Sequence, residues 1–299
     1  MVQRESKTVD LDGPVHYVDY GGPAGAQPPI VLVHGLGGSH VDWWSLGPML
    51  AHGRRVLAVD LPGFGRTPPS GLPGIRNYAQ FVLDFVRAVA GGPVTLAGNS
   101  MGGGVAMHAA ADGPDVVERL VLLNPIVPQP VFSLPEFTVW RDFAICLAPG
   151  VAEQLLARQP HRASPLSIVE ESLSMCCADP FRVEPAHKAA LLDLATERAQ
   201  MSYGDRNLVE ATRSVLFTIL ARSRFRRVIG DVRVPTLLIH GALDRLVTLR
   251  AAEATARARL DWDTVVYEDV GHVPQIEAPR RTAGTIDHWL ADVRAPASV

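Results

Sequence analysis

Residues 94–105 read VTLAGNSMGGGV, and this stretch decides the fold. Residues 94–97 are a short apolar run, typical of a strand that is buried on both faces, and the Ala-rich residues 101–111 are typical of a helix. Glycines stand two places before and two places after Ser100, at the junction of the two. A sharp G-x-S-x-G turn between a strand and a helix exposes a serine hydroxyl. The turn brings backbone segments so close together that side chains larger than that of glycine would collide with them. The stretch predicts that Ser100 is a nucleophile.

Short apolar runs alternate with helical patterns on both sides of this turn. The predicted strands are residues 15–20, 30–33, 56–59, 94–97, 120–123, 236–239 and 264–267. The predicted helices between them are residues 77–90, 101–111, 249–260 and 280–293. This alternation is typical of an α/β protein whose mostly parallel central sheet is flanked by helices.

The alternation is interrupted between residues 126 and 229. Helical patterns alone fill this region, at residues 137–147, 151–158, 167–176, 185–201 and 207–225. A structureless loop of that length is implausible in a compact domain. We therefore predict an α/β core from residues 1–125 and 230–299, with residues 126–229 inserted as a helical cap.

Length and composition restrict the class of protein. The chain has 299 residues, 47% of them hydrophobic, which suits one large domain with an ample core. Its formal net charge of -3 argues against a nucleic-acid partner or an anionic membrane surface. The polar N-terminus lacks the apolar segment of a signal peptide, and no apolar run approaches the roughly 20 residues of a membrane span. We expect a cytoplasmic protein with no nucleic-acid partner and no membrane span.

A serine hydroxyl needs a base, and the base needs a carboxylate that fixes its tautomer. His272 follows the last predicted strand, and Asp244 follows the predicted strand at residues 236–239. Both therefore stand at the carboxyl edge of the sheet, where the sites of such sheets lie. Serine, aspartate, histidine is one of the known chain orders of a catalytic triad. We predict a triad of Ser100, Asp244 and His272.

Other acids and histidines compete for these roles. Asp60, Asp231 and Asp269 are alternative carboxylates, of which Asp60, in the segment DLPGFG at residues 60–65, is interpreted as structural. His34 and His240 each end a predicted strand and precede a glycine. We interpret these two histidines as structural groups that line the carboxyl edge.

Attack on a carbonyl also needs donors for the oxyanion that forms. One is the backbone N–H of Met101, directly after the nucleophile at the positive end of the predicted helix. The second is expected from the glycine-rich loop HGLGG at residues 34–38, where we nominate the N–H of Leu36.

Taken together, these motifs resemble the α/β-hydrolase superfamily over nearly the whole chain. The loop at residues 34–38 is similar to the family's H-G-x-G oxyanion loop, and residues 60–65 are similar to its D-x-P-G-x-G segment. Residues 98–103 match its nucleophile elbow, Asp244 its acid loop and His272 its histidine loop. The resemblance implies the α/β-hydrolase fold and a Ser-His-Asp mechanism that uses no metal and no organic cofactor.

The leading expectation is hydrolysis of a small or medium hydrophobic carboxylic ester through an acyl-enzyme. The string GNSMGG at residues 98–103 also resembles hydrolases of meta-cleavage products, which break C–C bonds in ring-fission products. This chain departs from them at Val273, where they usually carry a tryptophan after the histidine. A low-turnover ligand-binding receptor on the same fold is the third alternative, and the oligomeric state stays open.

Two features of the predicted cap bear on the substrate. Residues 131–147 are rich in large apolar side chains, which favours packing of the cap onto the sheet over pocket lining for most of them. A basic cluster stands near its end, formed by Arg222, Arg224, Arg226 and Arg227. We interpret the cluster as solvated charge, with a grip on a carboxylate or phosphate of the substrate as the alternative.

Overall fold

The structure is a computed structural model that describes residues 4–23, 25, 27–129, 164–201 and 204–293. The predicted helices at residues 137–147 and 151–158, and the apolar segment at residues 131–147, lie outside the described residues.

The described residues form an eight-stranded sheet. Its strands are β1 (Glu5–Asp10), β2 (Pro14–Asp19), β3 (Ile30–Val33), β4 (Val56–Val59), β5 (Val94–Asn99), β6 (Val117–Leu123), β7 (Thr236–Gly241) and β8 (Asp263–Tyr267). They lie in the order β1-β2-β4-β3-β5-β6-β7-β8. The pairs β1–β2 and β2–β4 are antiparallel, and every pair from β4 to β8 is parallel. The prediction of a mostly parallel sheet is confirmed.

Helices occupy both faces of the sheet. The α-helices among the described residues are α1 (Leu46–Leu50), α2 (Ile75–Phe85), α3 (Met101–Asp112), α4 (Pro165–Cys176), α5 (Pro185–Arg198), α6 (Gly204–Leu220), α7 (Arg222–Asp231), α8 (Leu249–Ala258), α9 (Pro274–Glu277) and α10 (Pro279–Asp292). Short 3-10 turns lie at His40–Trp43 and Pro180–Arg182, and a π-helical turn at Val86–Ala90 extends α2.

The central strands are buried on both faces, as their continuous apolar runs predict. Val31 and Val33 of β3 pack with residues of α2 and α3, whereas Ile30 and Leu32 pack with residues of α1 and α10. Successive side chains of a strand point to opposite faces, so one short strand contributes to two cores. The layers hold the carboxyl ends of the parallel strands in fixed positions at one edge.

The sequence patterns failed to predict the first strand. β1 lies at the edge of the sheet and its side chains are exposed or half-buried, so its sequence ESKTVD contains no apolar run. Main-chain pairing with β2 makes it a strand. The predicted helix at residues 207–225 is in fact divided between α6 and α7, with the break at Ala221.

The helices α4 to α7 follow one another between β6 and β7, where the sequence predicts an insertion. Residues 126–229 as the limits of this insertion stay a prediction. Within the described part of the chain, no helix is both long and apolar enough to cross a membrane.

Candidate active site

Ser100 lies in the sharp turn between β5 and α3. Its backbone has φ 53° and ψ −118°, a left-handed conformation that few residues other than glycine adopt. The carbonyl of Ser100 accepts hydrogen bonds from the N–H groups of Gly103 and Ile126, which hold the turn in this conformation. The side chain is half-exposed, whereas the strand before it and the helix after it are buried.

The glycines that flank Ser100 are required by close backbone contacts. A Cβ atom on Gly98 would lie 2.2 Å from the carbonyl oxygen of Gly102. A Cβ atom on Gly102 would lie 2.2 Å from the carbonyl oxygen of Val33. Neither distance is tolerable, so only glycine lets α3 start this close to β3 and β5.

The glycine-rich loop at residues 34–38 lies against the serine. A Cβ atom on Gly35 would be 3.3 Å from the Cβ of Ser100, so the two backbones are in near contact. Within the described residues, no hydrogen bond uses the backbone N–H of Leu36 or of Met101. Both predicted oxyanion donors therefore have N–H groups available near Ser100, and their role stays a prediction.

Asp244 and His272 are joined by a short hydrogen bond. Nδ1 of His272 lies 2.7 Å from Oδ2 of Asp244, and both side chains are buried. The other carboxylate oxygen accepts the N–H groups of Leu246 and Val247 over 2.8 and 3.0 Å. Burial alone raises the pKa of a carboxyl, but the charge and hydrogen bond of His272 outweigh it and hold the pKa of Asp244 below its ordinary value. Asp244 is therefore an acceptor that fixes the Nδ1–H tautomer of the imidazole.

Two asparagines that the sequence reasoning missed connect these loops. Asn124 follows β6 and donates its side-chain amide to Oδ2 of Asp244 over 2.7 Å and to the carbonyl of Gly271 over 3.2 Å. Asn99 ends β5 and donates to the carbonyl of His272 over 3.1 Å. A polar residue close after an apolar strand run was the available signal for both, directly after residue 123 for Asn124 and two places after residue 97 for Asn99. Through them, the ends of β5 and β6 position the loops that carry the histidine and the acid.

A buried carboxylate holds the histidine loop from the other side. Glu277 accepts the N–H groups of Gly271, Ala178 and Asp179 over 2.8, 3.0 and 2.8 Å. The N–H of His272 in turn donates to the carbonyl of Cys176, at the end of α4, over 2.6 Å. The histidine loop is thus clamped to the inserted helices.

The structure does not bring all three predicted triad residues into hydrogen-bonding contact. Within the described residues, the hydroxyl of Ser100 makes no hydrogen bond. Asn99, its neighbour in the chain, contacts the backbone of His272. Such serine–histidine bonds are often long in unliganded enzymes and tighten when substrate binds. The Ser100–His272 link stays a prediction.

The alternative histidines are held in fixed structural positions. His34 lies between the carbonyl of Gly35 and the N–H of Leu61, and its burial lowers its pKa to about 4. His240 lies 3.1 Å from the carbonyl of Val247, and burial lowers its pKa as well. Both rings contact backbone groups through at least one nitrogen, His34 through Nδ1 and Nε2 and His240 through Nε2.

The alternative acids are not in the position of a triad acid. Asp269 is exposed and pairs with Arg182 and Arg281, and Asp231 is exposed at the end of α7. Asp60 is fully buried and contacts His16 and His40. Among the described residues, Asp60, His16 and His40 form the group of side chains whose ligand atoms lie within 4.8 Å of one another, close enough to hold a metal ion. Their nitrogen and oxygen atoms already pair with one another.

The arginine cluster lies on the exposed face of α7. Arg224, Arg226 and Arg227 are exposed, while Phe225 and Ile229 of the same helix are buried. This arrangement is that of a helix whose charged face contacts water.

Comparison with known proteins shows that the chain is similar to hydrolases. A family model described as alpha/beta hydrolase fold matches residues 28–279. The chain is 30% identical over 279 residues to a pimeloyl-[acyl-carrier protein] methyl ester esterase of Aromatoleum aromaticum, covering 87% of this chain and 97% of the relative. It is 28% identical to a 2-hydroxy-6-oxo-2,4-heptadienoate hydrolase of Pseudomonas putida, covering 89% and 90% of the two chains.

A solved structure shares the fold. The crystal structure of a putative lipase of Acinetobacter baumannii superimposes with a TM-score of 0.77 at 22% identity, covering 96% of this chain and 91% of that one. At this identity the likeness concerns the fold alone.

Proposed function

The chain belongs to the alpha/beta hydrolase fold family, and we propose that it hydrolyses a carboxylic ester through an acyl-enzyme on Ser100. The observation that carries the proposal is the strained backbone of Ser100, φ 53°, at the start of α3 with the glycine-rich loop against it. Strain of about 1–3 kcal/mol at a single residue persists only where the surroundings enforce it, and it is common at reacting groups.

In the proposed reaction, the hydroxyl oxygen of Ser100 attacks the ester carbonyl while Nε2 of His272 takes its proton. The imidazolium is stabilised by Asp244, which stays ionised. The ester C–O bond then breaks, and His272 returns the proton to the leaving alcohol. Water attacks the acyl-serine by the same route and releases the carboxylic acid.

The oxyanion of each tetrahedral intermediate is bound by the N–H groups of Leu36 and Met101 in this proposal. Met101 is the first residue of α3, so its N–H has no partner inside the helix and lies at the positive end of the helix dipole. Removing one such donor from a hydrolase typically costs about 10²–10³ in kcat.

We propose that the substrate is a small or medium hydrophobic ester. The inserted helices, which we propose form a cap from residue 126 to residue 229, cover it. Met101 is buried beside Ser100 and offers an apolar wall. The clamp between Cys176 and His272 puts the end of α4 against the site. The relative from Aromatoleum aromaticum is, by its name, an esterase of a methyl ester, which favours ester chemistry.

The test is turnover of p-nitrophenyl acetate, butyrate and octanoate by the wild type and by Ser100→Ala, with Ser70→Ala as the matched control. Ser70 is an exposed serine in the loop before α2. We expect a loss of about 10³-fold or more for Ser100→Ala, and none for the control. Equal turnover by Ser100→Ala and the wild type would refute the proposal.

A second candidate keeps the same residues and cleaves a C–C bond in a ring-fission product. The relative from Pseudomonas putida, whose name gives such a substrate, supports it. The coloured ring-fission dienoate is followed as it bleaches, next to the p-nitrophenyl esters. Fast bleaching with poor ester turnover would favour this candidate over the esterase.

A further inference from the structure

A second serine–histidine–aspartate array lies on the antiparallel side of the sheet. Ser6 Oγ is 2.8 Å from Nε2 of His16, and Nδ1 of the same ring is 2.7 Å from Oδ2 of Asp60. In the register of β1 and β2, Thr8 pairs with His16. Ser6 is two residues from Thr8, so it shares a face with His16. β1 is four strands from β5 in the sheet order, about 19 Å at 4.8 Å per strand, so the array is separate from the turn at Ser100.

The carboxylate at the base of the array is ionised. Oδ2 of Asp60 also accepts the N–H of Arg66 over 2.9 Å, and Oδ1 accepts the backbone N–H of His40 over 2.6 Å. Burial by itself raises the pKa of Asp60, but the hydrogen bonds from His16 and His40 outweigh it and hold the pKa far below its ordinary value. An ionised carboxylate only accepts, so the proton on Nδ1 of His16 belongs to the ring.

That tautomer determines the direction of the bond to Ser6. In the neutral ring, with its proton on Nδ1, Nε2 carries a lone pair and accepts. In that form of the ring the Ser6 hydroxyl donates to Nε2, which is the arrangement that activates a serine for attack. His16 and Asp60 are buried at 6% and 0% exposure, whereas Ser6 is exposed on the edge strand. The base and acid are shielded from water, and the nucleophile is open to reagents.

We propose that Ser6 is a second reactive serine, which takes an acyl group from activated carboxylic esters independently of Ser100. Oγ of Ser6 attacks the carbonyl carbon while its proton passes to Nε2 of His16. The bond to the aryl oxygen breaks, and the phenol leaves with the proton from His16. The product is one ester on Ser6 for each phenol released, which makes Ser6 a site of covalent modification.

The experiment uses the full chain carrying Ser100→Ala, incubated with p-nitrophenyl acetate. Intact mass and peptide mapping then locate and count the acetyl groups over time. We expect acetylation of the peptide that contains Ser6 at least about 100-fold faster than that of exposed Ser70 in the same molecule, the low end of what a positioned base supplies. Adding Ser6→Ala removes the fast acetylation, and adding Thr8→Ala, on the same strand face, leaves it unchanged.

A further variant tests the base. His16→Asn keeps an amide that can donate to Asp60 but has no acceptor at the position of Nε2, so we expect Ser6 to react at the rate of Ser70. Circular dichroism and the unfolding midpoint show whether this variant folds. If this variant does not fold, the proposal is decided by the acetylation rates of Ser6 and Ser70 in the chain that carries Ser100→Ala alone. Equal acetylation of the two serines there would overturn the proposal, whatever role Ser100 has.

Discussion

Asn124 donates its side-chain amide to Oδ2 of Asp244 over 2.7 Å, the same oxygen that accepts Nδ1–H of His272. The other amide atom of Asn124 accepts the N–H of Gly241 over 3.2 Å. One side chain at the end of β6 thereby connects the acid, the start of its loop and, through the carbonyl of Gly271, the histidine loop. In the proposed mechanism Asn124 is a positioning residue, since it would act on the reaction through Asp244.

We expect replacement of this amide to lower activity without unfolding the chain. Asn124 has φ 44°, a conformation that glycine adopts freely, so Asn124→Gly removes the hydrogen bonds without adding strain. We expect kcat on p-nitrophenyl esters to fall about 10–100-fold because the imidazole is no longer held in register, with KM nearly unchanged. Asn77→Ala, at an exposed position on α2, is the control. A loss of activity that comes from a higher KM, with kcat unchanged, would contradict the positioning role.

Glu277 holds the histidine loop through hydrogen bonds to both of its carboxyl oxygens. Its carboxylate accepts three backbone N–H groups, and Glu277→Gln replaces one acceptor oxygen with an NH₂ group that faces a donor. We expect a loss of about 2–3 kcal/mol in the free energy of unfolding by urea, since a buried donor loses its partner. Ester turnover should fall with it.

The control for Glu277 is Glu268→Gln, an exposed position shortly before the same loop. We expect a change of at most about 0.5 kcal/mol there. Similar losses for the two variants would mean that the carboxylate of Glu277 has no special role.

Replacing each of two glycines with alanine distinguishes a close backbone contact from ordinary helix propensity. Gly102→Ala places a methyl group 2.2 Å from the carbonyl of Val33, so we expect a loss of about 3 kcal/mol and of ester turnover. Gly284, within α10, has no atom within 4 Å of an added Cβ. Gly284→Ala should therefore gain about 0.5–1 kcal/mol. Urea unfolding measures both, and a stable, active Gly102→Ala protein would show that α3 does not need this contact.

Asp42 makes stability fall as the pH rises. It is buried in the turn after the glycine-rich loop, and burial raises its pKa from 3.8 to about 7; the charge of Asp60 adds to the rise and the nearby backbone of Ser39 opposes it. Between these two values the folded chain keeps a proton that the unfolded chain has lost. The contribution of this group to stability is therefore complete below pH 3.8 and is lost as the pH rises through 7.

Asp42→Asn removes this dependence. We expect the variant to gain stability over the wild type as the pH rises from 4 to 7, by a few kcal/mol at most, about 1.4 for each unit of pKa, and to hold that gain at pH 8. Asp115→Asn, at an exposed position before β6, should show no such trend. Urea unfolding at pH 4.5, 6 and 8 measures the difference. A gain that shrinks as the pH rises would contradict the assignment.

Local patterns were enough to predict the turn at Ser100 and the buried strands. An apolar run with glycines at two set positions is compatible with little else, because only that arrangement lets a helix start against two neighbouring strands. The same holds for the loops that carry Asp244 and His272, since parallel strands put their carboxyl ends at one edge. The turn at Ser100 depends on residues next to one another in the chain, and the edge at which the other two loops lie follows from the parallel order that the alternating pattern predicts.

Tertiary structure alone decided the rest. β1 is a strand because β2 pairs with it, although its sequence lacks an apolar run. Asn124 is 120 residues from Asp244 in the chain, and Ser6 meets His16 only across a strand pair. Hydrogen bonds between such partners follow from how elements pack, and a polar residue in a sequence has the same appearance whether or not packing provides it with a partner.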